Sequence, residues 1–249
     1  MQRNNKKRKK NHKKAYKKNK QRINQNLKVS VLSCIVCILV YILVLNVKIY
    51  NLEVDFRQMK KNNILLQNKL TKYLFLGDSI TERYKLNDYF PDRYVLNSGI
   101  GGDTTDDILK NLENRVYKYN PAVIFLMIGT NDVNQDIDSS CIFSNIKTII
   151  TEIQNELPET KIFVEPILPA GNQWADNRRN EKRIEINKLL QKEYNSSNVT
   201  YMDIYDEFVD SENGQLKSEY TADGLHLNDK AYKLISEKIE QQMEELSDN

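Results

Sequence analysis

The feature that most constrains this chain is an uncharged apolar run from Val29 to Val47, VSVLSCIVCILVYILVLNV. As a helix, its nineteen residues span roughly 28 Å, close to the ~30 Å hydrocarbon thickness of a bilayer. A buried core helix is rarely so uniformly apolar. A cleaved signal peptide has a shorter apolar region and a small-residue cleavage site, which is missing after Val47. The run therefore predicts one uncleaved transmembrane helix.

The charge distribution around this run predicts how it is oriented. Residues 1–28 contain thirteen Lys or Arg and no Asp or Glu, whereas Lys48 is the only cation immediately beyond the run. Setting this segment aside, the net charge of +3 becomes −10 for the remaining 221 residues. Because cations are retained on the cytoplasmic side, we expect a cytoplasmic N-terminus and an extracytoplasmic body. A basic tail beside a membrane span also makes nucleic-acid binding a poor explanation of the charge.

These observations divide the chain into four segments. We expect a basic cytoplasmic tail over residues 1–28, a transmembrane anchor over 29–48, a helical stalk over 49–71 and a folded domain over 72–249. The anchor contains Cys34 and Cys37, so Cys141 is alone in the body and an intrachain disulfide framework is excluded there.

The stalk carries a short seam of heptad-like spacing. Its positions alternate by four and three residues: Leu52, Phe56, Met59, Asn63, Leu66 and Leu70. Only about two and a half heptads are present, fewer than a confident coiled coil needs. Two interpretations stay open, a plain helical stalk and a weak homodimer through the stalk.

Beyond the stalk, short apolar runs alternate with longer amphipathic ones, as in a parallel α/β sheet. The predicted strands are residues 72–76, 94–97, 122–128, 161–166 and 199–204. Helices are expected near residues 105–119, 139–157, 177–195 and 229–246. The predicted fold class is α/β, a three-layer α/β/α sandwich around a five-stranded parallel sheet. Ligands of such sheets bind beyond the carboxyl ends of the strands.

Polar motifs follow three of the predicted strands. They are Gly77-Asp78-Ser79, the glycine-rich run Gly99-Ile100-Gly101-Gly102-Asp103-Thr104-Thr105, and Gly129-Thr130-Asn131-Asp132. Each alone is an ordinary turn, but a serine there can point its hydroxyl into the crevice. Backbone N–H groups of the glycine-rich run and the Asn131 amide can meet a developing negative charge. The run lacks the lysine and spacing of a phosphate-binding loop.

The fourth motif is Asp223-Gly224-Leu225-His226. An aspartate three residues before a histidine can orient one ring nitrogen while the other faces a nucleophile. The chain has two histidines, and His12 lies in the basic tail, so His226 is the one base available to the body. One His and one Cys in the body do not suit a metal site.

Taken together, the four motifs in this order resemble those of the SGNH (GDSL) hydrolase family, from Lys72 to about Leu246. The Gly99 to Thr105 run with Gly129 to Asn131 is similar to the branch containing platelet-activating-factor acetylhydrolase catalytic subunits and bacterial lysophospholipase-like esterases. The resemblance implies a Ser79 nucleophile, a His226 base oriented by Asp223, and an oxyanion hole from Ser79, Gly102 and Asn131. It implies no cofactor.

The expected function is hydrolysis of small-acyl esters, acetyl esters above all, carried by surface glycans or lipids. The expectation of a small acyl group comes from the 178 residues of the domain, which leave no room for a long apolar insertion. An O-acyltransferase would use the same acyl-enzyme, and a surface binding module would keep the fold without turnover. Both alternatives stay open at the level of sequence.

Overall fold

The computed structural model describes residues 2–70, 72–174, 176–196 and 198–248. The chain forms two compact units, residues 1–62 and 63–249. Helix α1, Gln2–Leu70, runs through the predicted tail, anchor and stalk. The side chains of most of the basic tail and of residues 63–70 lie outside the described part. The latter include the seam positions Asn63, Leu66 and Leu70.

One stretch of α1, Asn24–Asn62, is long and apolar enough to cross a membrane, and no other helix in the described residues meets that test. Its most apolar window is 0% buried within the structure. A core helix of a soluble domain would instead be covered by its neighbours. The single apolar N-terminal helix expected from the sequence is therefore present.

The second unit contains five strands and short and long helices in alternation. The strands are β1 Lys72–Gly77, β2 Tyr94–Gly99, β3 Val123–Met127, β4 Lys161–Val164 and β5 Val199–Tyr201. The helices are α2 Ser79–Glu82, α3 Leu86–Tyr89, α4 Thr105–Lys110, α5 Leu112–Arg115, α6 Thr130–Asn134, α7 Ser139–Glu156, α8 Asn177–Glu193, α9 Tyr205–Phe208 and α10 Asp229–Asp248.

The strands form one sheet in the order β2-β1-β3-β4-β5, and every neighbouring pair is parallel. Alternate side chains of each strand point to opposite faces, which separates two cores. One core joins Phe75, Phe125 and Phe163 to α10. The other joins Leu74, Ile124 and Ile162 to the apolar side of α7. The predicted three-layer α/β/α sandwich with a five-stranded parallel sheet is confirmed.

Two predicted elements differ most in extent from those observed, whereas the strands predicted over residues 94–97 and 161–166 differ by only two residues, as Tyr94–Gly99 and Lys161–Val164. The helix expected over residues 105–119 is broken into α4, α5 and a 3₁₀ turn at Tyr117–Tyr119, with non-helical dihedral angles at Asn111 (φ −126°, ψ 22°) and at Val116 (φ −131°, ψ −63°). Strand β5 ends at Tyr201, because it pairs with β4 only from Ile162 to Val164. Strand length in a sheet edge depends on the neighbour, which local sequence does not reveal.

Glu165, the first residue after β4, places a carboxyl group in the interior, where it is 5% exposed. Burial raises its pKa from 4.5 to about 8. In the unfolded chain this carboxyl group loses its proton once the pH exceeds 4.5, whereas in the folded domain it stays protonated up to about pH 8. Between these two pH values the group therefore destabilises the fold increasingly as pH rises.

We expect Glu165→Gln to stabilise the domain by an amount that grows with pH from about 4.5 to about 8. The slope should reach at most about 1.4 kcal/mol per pH unit. Urea unfolding of the fragment from Asn63 onward, at several pH values, measures the difference from wild type. The exposed Glu159→Gln serves as the control and should show little pH dependence. A difference for Glu165→Gln that stays constant with pH would contradict this assignment.

Candidate active site

The site lies at the carboxyl end of β1, where the strand order reverses. β1 pairs with β2 on one side and with β3 on the other. The next two strands along the chain therefore lie on opposite sides of β1. Such a switch point opens a crevice at the strand ends. Ser79 is the first residue of α2 and stands two residues after β1 ends. It is partly buried at this edge.

The structure brings the three residues predicted as a triad into one hydrogen-bonded row. Ser79 Oγ lies 3.2 Å from His226 Nε2, across 147 residues of sequence. His226 Nδ1 lies 2.6 Å from Asp223 Oδ2. With Nδ1–H donating to the carboxylate, Nε2 is free to accept the Ser79 hydroxyl proton.

A tight turn holds the Asp223 carboxylate in place. Its Oδ1 accepts hydrogen bonds from the backbone N–H groups of Leu225 and His226, at 2.9 and 2.8 Å. Thr221 Oγ1 donates to the His226 carbonyl at 2.8 Å and accepts from Gly224 N. Partial burial acts to raise the pKa of Asp223, but the hydrogen bonds from His226 and Leu225 outweigh it and hold that pKa well below its usual range. Asp223 is therefore ionised at neutral pH.

Asn131 and Gly102, the predicted oxyanion-hole residues, flank the same strand ends. Asn131 Nδ2 donates to the Asp103 carbonyl oxygen at 2.8 Å, which fixes the amide plane and leaves its second N–H for another acceptor. Gly102 adopts φ +87°, a conformation that disfavours any side chain. Ser79 is the first residue of α2, so its N–H has no acceptor within the helix.

Gly99, the first residue of the glycine-rich run, is needed for space. A Cβ atom there would lie 2.1 Å from Glu82 N and 2.6 Å from the carbonyl carbon of Thr81. The run thus begins in close contact with the backbone of α2. A larger residue at this position would press on the helix that begins with Ser79.

Arg115 ties the loops together, and the motif analysis missed it. Its guanidinium forms a salt bridge with Asp103 and donates to the carbonyl oxygens of Gly77, at 3.0 Å, and Ser98. Its side chain is 6% exposed. One cation therefore joins the ends of β1 and β2 to the loop that carries Gly102. The only sequence signal is a charge between the apolar residues Leu112 and Val116, which is too common to identify such a role.

Two further carboxyl groups, Asp78 and Asp132, are buried behind the serine. Asp78 accepts from Ile80 N at 2.9 Å and caps α2, whereas its Oδ2 has no hydrogen-bond partner in the described structure. Burial, and then the neighbouring charges of Asp132 and Asp103, raise the pKa of Asp78 to about 7. Asp132 accepts from the Thr105 hydroxyl at 2.6 Å and from Thr105 N, which connects the β3 loop to α4.

Among the described residues, no three His, Cys, Asp or Glu side chains are grouped so as to hold a metal ion.

Comparison with known proteins establishes the family of this chain. The sequence model of the GDSL-like Lipase/Acylhydrolase family matches residues 75–234. The alpha2 subunit of platelet-activating factor acetylhydrolase IB is 31% identical in both Homo sapiens and Rattus norvegicus, over 208 residues. The match covers 78% of this chain and 89% of the subunit. The chain therefore belongs to the GDSL-like lipase/acylhydrolase family and is an ester hydrolase of that class.

Solved structures agree with this assignment. A Streptococcus pneumonia chain, provisionally described as a platelet activating factor, is 30% identical with a TM-score of 0.64, covering 77% of this chain and 96% of that one. The lipase/acylhydrolase from Enterococcus faecalis is 26% identical with a TM-score of 0.57, covering 70% and 95%. A GDSL-like lipase from Bacteroides thetaiotaomicron, at 23% identity and a TM-score of 0.61, shares the fold over 71% and 89%.

The Arg115 contacts predict a large effect on stability. Arg115→Met leaves Asp103 without its cation and removes one hydrogen bond from each of the Gly77 and Ser98 carbonyl oxygens, although Gly77 O still accepts from Ile100 N at 3.2 Å. We expect the free energy of unfolding to fall by about 3 kcal/mol. Lys110→Met removes a cation from an exposed pair with Asp106 and should cost much less, because solvent screens that pair. Urea unfolding of the fragment from Asn63 compares the two variants, and equal losses would show that Arg115 has no special structural role.

Proposed function

We propose that Ser79 is the nucleophile of a serine esterase, with His226 as its base and Asp223 as the residue that orients the base. The observation that carries this proposal is the row of contacts from Ser79 Oγ through His226 to Asp223, at 3.2 and 2.6 Å. A plain structural serine would have no reason to face an imidazole whose second nitrogen is held by an ionised carboxylate.

In the proposed acylation step, Ser79 Oγ attacks the ester carbonyl carbon while His226 Nε2 takes the hydroxyl proton. The carbonyl π electrons move to oxygen, and the resulting imidazolium is stabilised by Asp223. Collapse of the tetrahedral intermediate breaks the C–O bond to the alcohol. His226 returns the proton to the departing alcohol oxygen, so the acyl group is left on Ser79.

In deacylation a water molecule replaces the alcohol. His226 takes one water proton as the oxygen attacks the acyl-enzyme, and it gives that proton to Ser79 Oγ when the acid departs. In both steps the oxyanion would be met by the N–H groups of Ser79 and Gly102 and by the free N–H of Asn131. Because Asp103 and its Arg115 partner already hold the Asn131 amide and the Gly102 loop, little reorganisation is required.

A small acyl group, above all acetyl, is the proposed substrate. The segments that border the site are short: residues 165–171 link β4 to the next 3₁₀ turn, and residues 221–228 carry Asp223 and His226 to α10. In the described residues neither adds an apolar lid of the kind that a long acyl chain needs. The curated relatives with 31% identity are named acetylhydrolases, which supports the same choice.

The proposed location is the outer surface of a membrane. The apolar stretch of α1 and the cations that precede it support a single-pass anchor with an extracytoplasmic catalytic domain. Acetylated surface glycans and lipids would be in reach of an enzyme on a short stalk. Both carriers present the same reacting group, an acetyl ester of an exposed alcohol.

Substitutions in the proposed machinery should abolish turnover without unfolding the domain. We expect Ser79→Ala and His226→Ala each to remove nearly all esterase activity, and the double variant to be no worse, since the two act as one unit. Asn131→Ala should cost about 10²–10³ in kcat because one oxyanion donor is lost. Circular dichroism checks the fold, and fluorophosphonate labelling of wild type but not Ser79→Ala identifies the nucleophile. A binding module would show neither turnover nor labelling.

Chain length should separate the substrate classes. We expect kcat/KM to fall steeply from acetyl to octanoyl esters, since each methylene that finds no apolar contact forgoes about 0.8 kcal/mol of binding. Acetate release from an acetylated glycan and from an acetylated phospholipid, measured side by side, distinguishes the two carriers. Acetyl groups that appear on an added free glycan instead of as acetate would indicate acyl transfer. A rate that rises with chain length would contradict the small-acyl proposal.

Protease accessibility tests the proposed orientation. Protease added to intact cells should digest the chain beyond Tyr50 and leave an N-terminal tag, because the thirteen cations hold that end in the cytoplasm. Permeabilised cells should lose both parts. Protection of the catalytic domain in intact cells, with loss of the tag, would reverse the orientation.

A further inference from the structure

The stalk exposes a row of large apolar side chains on one face of α1. Leu52, Phe56 and Met59 are 67%, 67% and 59% exposed. Their spacings of four and three residues place them in one stripe along the helix. The stripe begins just beyond the last residues of the apolar run, where the chain leaves the proposed anchor. A contiguous apolar stripe outside the bilayer is a surface that another chain can cover.

In a heptad register, Phe56 takes an a position, and Leu52 and Met59 take d positions. Continuing that register along the sequence places Asn63 at the next a position and Leu66 at the next d position. Leucine thus occupies two of the three d positions, and a single polar asparagine at an a position is the feature that fixes register in coiled coils.

The flanking charges fit a second copy of the same chain. In this register Lys48 and Asp55 occupy g positions, and Glu53 and Lys60 occupy e positions. In a parallel, in-register pair each g residue faces the e residue five positions later in the other chain. Lys48 would therefore face Glu53 of the other copy, and Asp55 would face Lys60. Both pairs are attractive, and each occurs twice in a symmetric dimer.

The anchor supplies the orientation that these pairs require. Two copies inserted in one bilayer with the same topology leave it side by side, so their stalks are parallel and begin at the same height. Confinement to one membrane also raises the effective concentration of each stalk for the other. This compensates for a seam that is too short to hold two free chains together. Within one helix, Arg57 Nη2 lies 3.9 Å from Glu53 Oε2, and both side chains stay exposed.

We propose that the stripe formed by Leu52, Phe56 and Met59 docks a second copy of this chain as a parallel, in-register coil. The proposal depends on the proposed membrane anchor and not on the ester chemistry. Its test therefore measures dimer formation in the membrane fraction and leaves activity aside. Absence of the chain from that fraction would defeat the anchor, and a monomeric chain within the fraction would defeat the docking proposal alone.

The first experiment uses single cysteines in the full-length chain, with Cys34, Cys37 and Cys141 replaced by alanine. Oxidation of isolated membranes should link Leu52→Cys and Met59→Cys into disulfide dimers. Val54→Cys and Lys61→Cys, two residues further on and at f positions on the opposite face, are the matched controls. They should give roughly fivefold less dimer or lower still, because only a and d positions face the partner. Equal linking at all four positions would indicate random collision and overturn the proposal.

The second experiment exchanges the charges of one pair in the Met59→Cys background. Asp55→Lys and Lys60→Asp, each alone, place like charges opposite each other and should lower the linked fraction by roughly two- to fivefold. The double exchange should restore it. Differently tagged Asp55→Lys and Lys60→Asp chains, expressed together, should link to each other in preference to themselves.

These outcomes separate a specific pair from a local effect within one helix. If the double exchange failed to restore linking, or the mixed chains showed no preference for each other, the proposed register would be wrong. A linked product of a different size at Leu52→Cys would show that another protein covers the stripe, and it would overturn the dimer.

Discussion

The geometry of the candidate active site depends on the pairing of β1 with two parallel neighbours. Because β2 and β3 lie on opposite sides of β1, the loops that follow these three strands surround a single point. Ser79 follows β1, the glycine-rich loop follows β2, and Asn131 follows β3. No one of these loops has the residues for ester hydrolysis by itself. The sheet brings the three loops close together, and the packing of its strands in the core stabilises that arrangement.

Electrostatics at this point are arranged in two layers. At the surface, Asp223 is ionised and faces His226, and in the proposed mechanism this row moves a proton between Ser79 and the substrate. Below it, burial raises the pKa of Asp78 to about 7, and Arg115 neutralises Asp103 while it holds the ends of β1 and β2. The Arg115–Asp103 pair of the inner layer holds the positions of the loops, whereas the Asp223 charge of the outer layer lies near solvent.

The N-terminal helix meets a different physical requirement from the catalytic unit. The residues that the structure describes do not cover its apolar stretch. In the proposed anchor a bilayer covers the stretch from about Val29 to Val47, and the stripe of Leu52, Phe56 and Met59 lies beyond the hydrocarbon. In the proposed dimer the charges beside that stripe pair between two parallel copies. The stalk would then serve assembly, which the chemistry of the catalytic unit does not require.

The sequence by itself determined the fold class, the apolar N-terminal helix and the family, because periodicity, apolar length and the order of four motifs are local properties. It also identified Ser79, His226 and Asp223 as candidate site residues. Only the tertiary structure, however, placed His226 Nε2 3.2 Å from the Oγ of Ser79, which lies 147 positions away. The limit of β5 depended on its pairing with β4. Arg115 and Glu165 were decided by tertiary structure alone, since the energy of a buried charge is set by partners that packing brings together and that no local pattern in the sequence specifies.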